Sequence, residues 1–232
     1  MNLQPSGTDR PSSIDVVLAT GNRDKVRELQ PMLGRVSPLL KVWSLTDLSL
    51  SPEIEETEPT LKGNAWLKAE AVFSLVESRF EWLIVLADDT GLEVDALQGA
   101  PGVRSARFAP APAGCQPSYD DNVNHLLRLM SATIDRTARF RTVIAMKGRL
   151  PSPEGESIAI EETLEGKIEG TITTERHGSD GFGYDPVFMP SGLVKTFAQI
   201  SLEEKNRISH RALAVAEAAR SIRELLVGHG IS

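Results

Sequence analysis

Apolar and polar positions follow two rhythms along this chain, and the switches between them mark out its elements. IDVVLAT (14–20) is short and β-branched and reads as a strand; in GNRDKVRELQPML (21–33), Val26, Leu29 and Leu33 recur close to helical spacing. Pro31 sits inside that pattern and is expected to kink or end the helix. LLKVWSL (39–45) reads as a second strand. TLKGNAWLKAEAVFSLVE (60–77) reads as a helix with Leu61, Ala65, Leu67, Ala71 and Leu75 roughly on one side. WLIVLAD (82–88) has the continuous apolar run of a buried strand. That strand reads as ending at Asp88 and Asp89, with a glycine turn at Gly91 and GLEVDAL (91–97) as a separate short strand. DDNVNHLLRLM (120–130) is an amphipathic helix entered through an aspartate cap. From ARFRTVIAMKG (138–148) through SIAIEETLEGKIEGTITTE (157–175) the pattern becomes strand after strand with glycine turns. EEKNRISHRALAVAEAARSIRELL (203–226) supplies a helical end. The mixture predicts an α/β fold on a mixed sheet.

No repeat, low-complexity tract or clear linker divides the chain. Residues 14–232 are therefore expected to form a single domain behind a disordered polar lead-in, residues 1–13. APAPAGCQP (109–117) looks like a surface loop. The one cysteine, Cys115, cannot form an internal disulfide and has no thiolate partners for zinc, which suits a reducing, cytoplasmic setting. No apolar stretch approaches the roughly 18 residues of a membrane span. The formal net charge of −7 argues against a nucleic-acid binder, so an anionic ligand would need local basic residues to overturn the global field.

Four segments could carry chemistry. LATGNRDKVRE (18–28) runs a strand through a small-residue loop into a helix, whose unpaired N–H groups and Lys25 suit phosphate; the spacing is not that of a Walker loop, and a solvated turn gives the same letters. Asp88 and Asp89 read either as an acidic turn or as a seat for Mg²⁺, a hard cation that takes carboxylate oxygen and shares itself with phosphates. A further carboxylate is available in EIEETEPT (53–60), where Glu56 is chosen over Glu53, Glu55 and Glu58, a choice that spacing leaves arbitrary. In GSDGFGYDPVF (178–188) glycines bracket Phe182 and Tyr184, letting a flat ligand approach a stacking face, with Asp185 able to accept hydrogen bonds from a base edge; a bulge whose aromatics join the core is the plain alternative. Lys205, His210 and Arg211 fall within two helical turns or across a break capped by Ser209, and could meet phosphate and a carbonyl-bearing base or lie on an ordinary exposed helix. Together the four supply the parts needed to hold a metal-bound nucleoside triphosphate.

These stretches, in this order, resemble those of the inosine/xanthosine triphosphate pyrophosphatases, which clear deaminated purine nucleotides, from about Val16 to Leu226. The resemblance implies an elongated two-lobed α/β fold with a central mixed β-sheet flanked by helices and a substrate cleft between lobes. It also implies homodimerisation, Mg²⁺ dependence, and hydrolysis of ITP, dITP and XTP between the α and β phosphorus to monophosphate and pyrophosphate. By position, it puts the triphosphate loop on Thr20, Gly21, Asn22, Arg23, Asp24 and Lys25, with Lys68 as a further phosphate contact. Asp89 falls on the proton acceptor and metal ligand, Glu56 on the other metal-side carboxylate, and Asp88 beside them; Thr90 matches a substrate-contacting hydroxyl. Phe182, Gly183, Tyr184 and Asp185 fall on the base-binding loop, and Lys205, His210 and Arg211 on the remaining substrate contacts. The chain departs from the familiar pattern around Pro59, Leu61 and Lys62, at Asp180, and over 154–165. Two rival readings use the same residues: a nucleotide sensor that has lost the chemistry, and a pyrophosphatase for other modified nucleotides.

Overall fold

The computed structural model describes residues 11, 13–152 and 157–231; the expected lead-in lies outside them except for Pro11 and Ser13. The apolar strand β1 (Ile14–Leu18) leads into helix α1 (Arg23–Leu33) and returns as β2 (Leu40–Ser44), parallel to β1. Helix α2 (Leu61–Val76) makes the second crossover, and β3 (Leu83–Val94) pairs in parallel with the other edge of β1. Parallel neighbours need such crossovers because a tight turn cannot join them. A two-residue strand, β4 (Pro101–Gly102), pairs antiparallel with the end of β3, and helix α3 (Tyr119–Leu129) follows. The long antiparallel pair β5 (Thr137–Pro151) and β6 (Ser157–Ile172) comes next, then β7 (Phe188–Pro190), α4 (Leu202–Ile208) and α5 (His210–Gly228). Among the described residues these strands form one mixed sheet in the order β2-β1-β3-β5-β6-β7, with β4 beside β3.

Alternation along β3 and β5 sends side chains to opposite faces of this sheet. Ile84, Leu86, Ile144 and Met146 pack with Leu29 and Leu33 of α1 and with Ala214, Ala218 and Ile222 of α5. Leu83, Val85, Ala87, Val143 and Ala145 face Ala65, Ala69, Val72 and Val76 of α2. The far ends of the long strands build a third core, in which Leu92, Phe140 and Ile172 meet Val123 and Leu126 of α3 and Phe188 and Phe197. The two halves of the molecule thus share β3, β5 and β6 as a common spine.

Several elements differ from the expected ones. β3 does not end at Asp88; it runs on through Asp88, Asp89, Thr90 and Gly91 to Val94, because β5 supplies a partner at every position, Asp88 opposite Ile144 and Asp89 opposite Val143. Gly91 is therefore no turn: a Cβ there would meet the Gly102 carbonyl oxygen of β4 at 2.7 Å, so the glycine permits close approach. The expected succession of short strands is instead two long ones, with Gly166 inside β6. A Cβ on Gly166 would run into the backbone of His210 and Ala214, so its absence lets α5 lie directly on the strand. Helix α1 continues through Pro31, two residues before its end, where one lost hydrogen bond is tolerated. The face that α2 buries is Leu61, Asn64, Ala65, Lys68, Ala69, Val72 and Val76, rotated from the leucine side so that Leu75 is exposed. Small residues bring that helix close to the sheet. Ser118, not an aspartate, caps α3, with Asp121 completing a reciprocal capping box.

Candidate active site

On one edge of β3, pairing with β1 stops at Leu86 and pairing with β4 resumes at Leu92. A cleft of about 340 Å³ borders this gap, lined by Thr20, Gly21, Asn22, Lys25, Glu56, Lys68, Asp89 and Thr90 from one half and by Phe182, Gly183, Tyr184, Asp185, Lys205, His210 and Arg211 from the other side. Of the expected site residues, Arg23, Asp24 and Asp88 are not among its lining residues.

Because β3 is extended through the aspartates, the pair is split by strand geometry: adjacent side chains point to opposite faces. Asp88 follows Ile84 and Leu86 toward α1 and α5. Its Oδ2 lies 2.9 Å from Lys25 Nζ and 3.4 Å from Arg211 Nε and accepts from Thr90 Oγ1 at 3.2 Å. Asp89 follows Val85 and Ala87 toward α2, where its Oδ1 lies 2.8 Å from Lys68 Nζ; the same ammonium lies 3.1 Å from Glu56 Oε1. The two environments push the two carboxyls apart. Burial would raise the Asp88 pKa, but Lys25, Arg211 and Lys68 outweigh it and hold that carboxyl well below the usual range. At Asp89 burial wins: Lys68 and Lys25 offset only part of it, Glu56 adds to it, and the pKa sits above the ordinary value. Opposite shifts of neighbouring carboxyls are the pattern by which a site separates a permanently charged group from one that can exchange a proton.

Where α1 begins, Asn22 accepts from the backbone N–H groups of Asp24 and Lys25 at 2.9 and 3.3 Å, and its own N–H is held by Thr20 Oγ1 at 3.2 Å. Lys25, in the first turn, reaches Asp88 rather than solvent, which keeps a cation at this helix start.

At the other end, Ser209 breaks the terminal helix into α4 and α5 and caps the second by accepting from Ala212 N–H at 3.1 Å. The break turns Lys205, His210 and Arg211 inward, where all three are buried. Lys205 lies 2.6 Å from Asp185 and 2.8 Å from Glu28, and Arg211 also bonds to Glu28. His210 stacks on Phe140 with ring centroids 4.5 Å apart. Burial, with Arg211 and Lys205 nearby, pushes its pKa well down, so the imidazole is neutral, and its Nδ1 is buried without a hydrogen-bond partner. In the glycine-bracketed loop the two aromatics separate: Tyr184 is buried, with its hydroxyl donating to the Ser105 carbonyl at 2.9 Å, whereas Phe182 is half-buried and lies 4.9 Å from Lys205 Nζ. Asp185 accepts from Phe182 N–H at 2.9 Å and so fixes that loop.

Two contributors escaped the sequence reading. Glu28, buried between Lys205 and Arg211, is their shared counter-ion; it lies one helical turn beyond Lys25 on α1, and an acid next to buried Leu29 was the available signal. Tyr119 of α3 also lines the cleft, at a position no local pattern marked.

A family model described as Ham1 family matches residues 16–221. The chain belongs to the Ham1 family. It is 61% identical over 218 residues to a dITP/XTP pyrophosphatase of Chlorobaculum tepidum, covering 94% of this chain and 96% of the relative. A dITP/XTP pyrophosphatase of Porphyromonas gingivalis is 46% identical over 204 residues, covering 87% and 94%. Among solved structures, a HAM1 protein from Coxiella burnetii matches with a TM-score of 0.73 at 33% identity, covering 91% of this chain and 99% of that one. The mixed sheet with flanking helices described above is therefore the Ham1 fold.

Proposed function

We propose that this Ham1-family chain hydrolyses deaminated purine nucleoside triphosphates, ITP, dITP and XTP, to the monophosphate and pyrophosphate. The observation that carries this reading is the split of Asp88 and Asp89 across the sheet: a locked carboxylate behind Lys25 and Arg211, and a proton-exchanging one facing the cleft beside Lys68. The Ham1 relatives named for dITP and XTP supply the substrate class.

The triphosphate would lie along the start of α1, its charge met by the positive end of that helix and by Lys25, Lys68 and Lys205. Asp89 takes the proton of a water whose oxygen attacks the α-phosphorus; the bond to the bridging oxygen breaks, and pyrophosphate leaves with that electron pair. Asp88 serves by placing Lys25 and Arg211. Glu56 and Asp89 both line the cleft and share one ammonium, an all-oxygen donor set that fits a hard cation such as Mg²⁺. Among the described residues there is no group of three or more His, Cys, Asp or Glu side chains placed to hold a metal ion. Bound by Glu56 and Asp89, Mg²⁺ would supply neutralisation of phosphate charge.

A purine with oxygen at C6 offers an acceptor to the N–H of neutral His210, in the tautomer that turns it to the cleft, and to the backbone N–H groups of the glycine loop. Adenine presents an amino group to the same donors and leaves them unpaired. A cytoplasmic homodimer completes the proposal, supported by the resemblance alone. Among the described residues no helix is long and apolar enough to cross a membrane.

The test is pyrophosphate release from ITP, XTP, dITP, GTP and ATP, each with Mg²⁺ and with excess chelator. Metal-dependent release from the first three, with little from GTP and ATP, is expected. Binding without release would make the chain a nucleotide sensor, and preference for another modified base would move it to a different pyrophosphatase activity.

A further inference from the structure

Tyr119, the first residue of α3, stands across the mouth of the cleft. Its ring centroid lies 5.8 Å from that of Phe182, and its hydroxyl accepts from Asn22 Nδ2 at 3.3 Å. One side chain thus touches both the loop before α1 and the glycine-bracketed loop. Asn22 has no freedom in this contact: its Oδ1 is committed to capping α1, so the amide nitrogen is what it presents to the cleft. The base of Tyr119 is fixed as well. Asn122, buried, accepts from Phe108 and Ala109 N–H and donates to the Ala106 carbonyl, while Arg176 bonds to Asp120 and to Asn124 Oδ1. Tyr119 as a whole remains 43% exposed.

A nucleotide with its phosphates at the start of α1 and its base against Phe182 must put its sugar between them, under Tyr119. Resting on the nucleotide reading above, we propose that Tyr119 is the sugar contact of this site: its hydroxyl donates to a sugar hydroxyl, and its ring screens that part of the ligand from water. The Asn22 contact uses a lone pair of the phenol oxygen and leaves the phenol proton for the ligand. A tyrosine suits the task because it gives a rigid face and a polar tip at small entropic cost.

The experiment measures kcat and KM, and in parallel Kd by calorimetry, for ITP, dITP and 2′,3′-dideoxy-ITP with the unaltered protein, Tyr119→Phe and Tyr119→Ala. Tyr119→Phe is expected to raise KM and Kd about three- to tenfold, the worth of one neutral hydrogen bond, for substrates carrying the engaged hydroxyl, and to leave the dideoxy substrate unchanged. An effect on ITP alone identifies the 2′-hydroxyl, and an equal effect on ITP and dITP the 3′-hydroxyl. Tyr119→Ala should weaken all three by removing the cover. Equal weakening of all three by Tyr119→Phe, or none, overturns the inference and leaves Tyr119 as a brace for Asn22. If the unaltered protein binds these nucleotides without releasing pyrophosphate, the hydrolase reading fails while the Kd values still decide the role of Tyr119.

Discussion

Asp88 and Asp89 are chemically identical neighbours, and the strand makes them different by turning one toward α1 and α5 and the other toward α2. Asp89→Asn removes the proton acceptor but keeps its shape, so kcat should fall by about 10² to 10⁴-fold while nucleotide binding stays measurable by calorimetry. Retained turnover would take Asp89 out of that role. The pKa shifts give two pH dependences of different kind. Asp89 acts only when ionised, so kcat should decline on acidification as it takes up its proton, an uptake that burial favours and a bound cation opposes. Asp88 has a depressed pKa, so its share of stability is present above the ordinary carboxylate pKa and is lost as pH falls through the depressed one. Urea midpoints measured from neutral to strongly acid pH should fall only in the acid range. The pair was legible in the sequence and the resemblance gave each aspartate its expected role, but the opposite facing of the two side chains was not, because reading DDTG as a turn conceals the strand alternation.

At the scale of elements, the expected strand and helix positions in the first half match the structure closely, since β1, α1, β2 and α2 are each specified by their own local pattern. The misreadings cluster where long-range pairing decides the outcome. Glycine inside β6 looks like a turn signal in isolation, and only the docking of α5 explains why Gly166 has to be glycine. Gly166→Ala should therefore push the first turn of α5 away from the sheet, costing roughly 1–3 kcal/mol and displacing His210 and Arg211 enough to raise KM. Gly228, at the other end of α5, has nothing within 4 Å of an added Cβ, so Gly228→Ala serves as the comparison and should leave both quantities near those of the unaltered protein. Equal effects of the two substitutions, by urea midpoint and KM, would show that α5 does not depend on that contact.

Across the whole molecule the net charge is −7, and the cations gathered at the cleft, Lys25, Lys68, Lys205 and Arg211, are each held by carboxylates, Asp88, Asp89, Glu56, Asp185 and Glu28. Lys68 entered the sequence reading only through family resemblance, and Glu28 not at all, for the same physical reason: each is a charge on a helix whose apolar neighbours bury it, and burial of charge becomes intelligible only when the partner is known. Glu28 is the clearest case. It sits on α1, its partners Lys205 and Arg211 sit on α4 and α5, and so one carboxylate ties an early helix to the end of the chain. Removing one member of a buried ionic network leaves the others without compensation, which costs about 3–5 kcal/mol, far more than an exposed pair would. Glu28→Gln keeps the volume and removes the charge. Its urea midpoint should drop accordingly, and saturating nucleotide should restore part of the loss, because phosphate oxygens can stand in for the missing carboxylate beside Lys205. Glu203→Gln, which breaks the exposed pair with Arg207, should leave the midpoint unchanged. Were the two substitutions equally mild, Lys205 and Arg211 would have to be held by Asp185 and Asp88 alone, and Glu28 would be a bystander to the cleft.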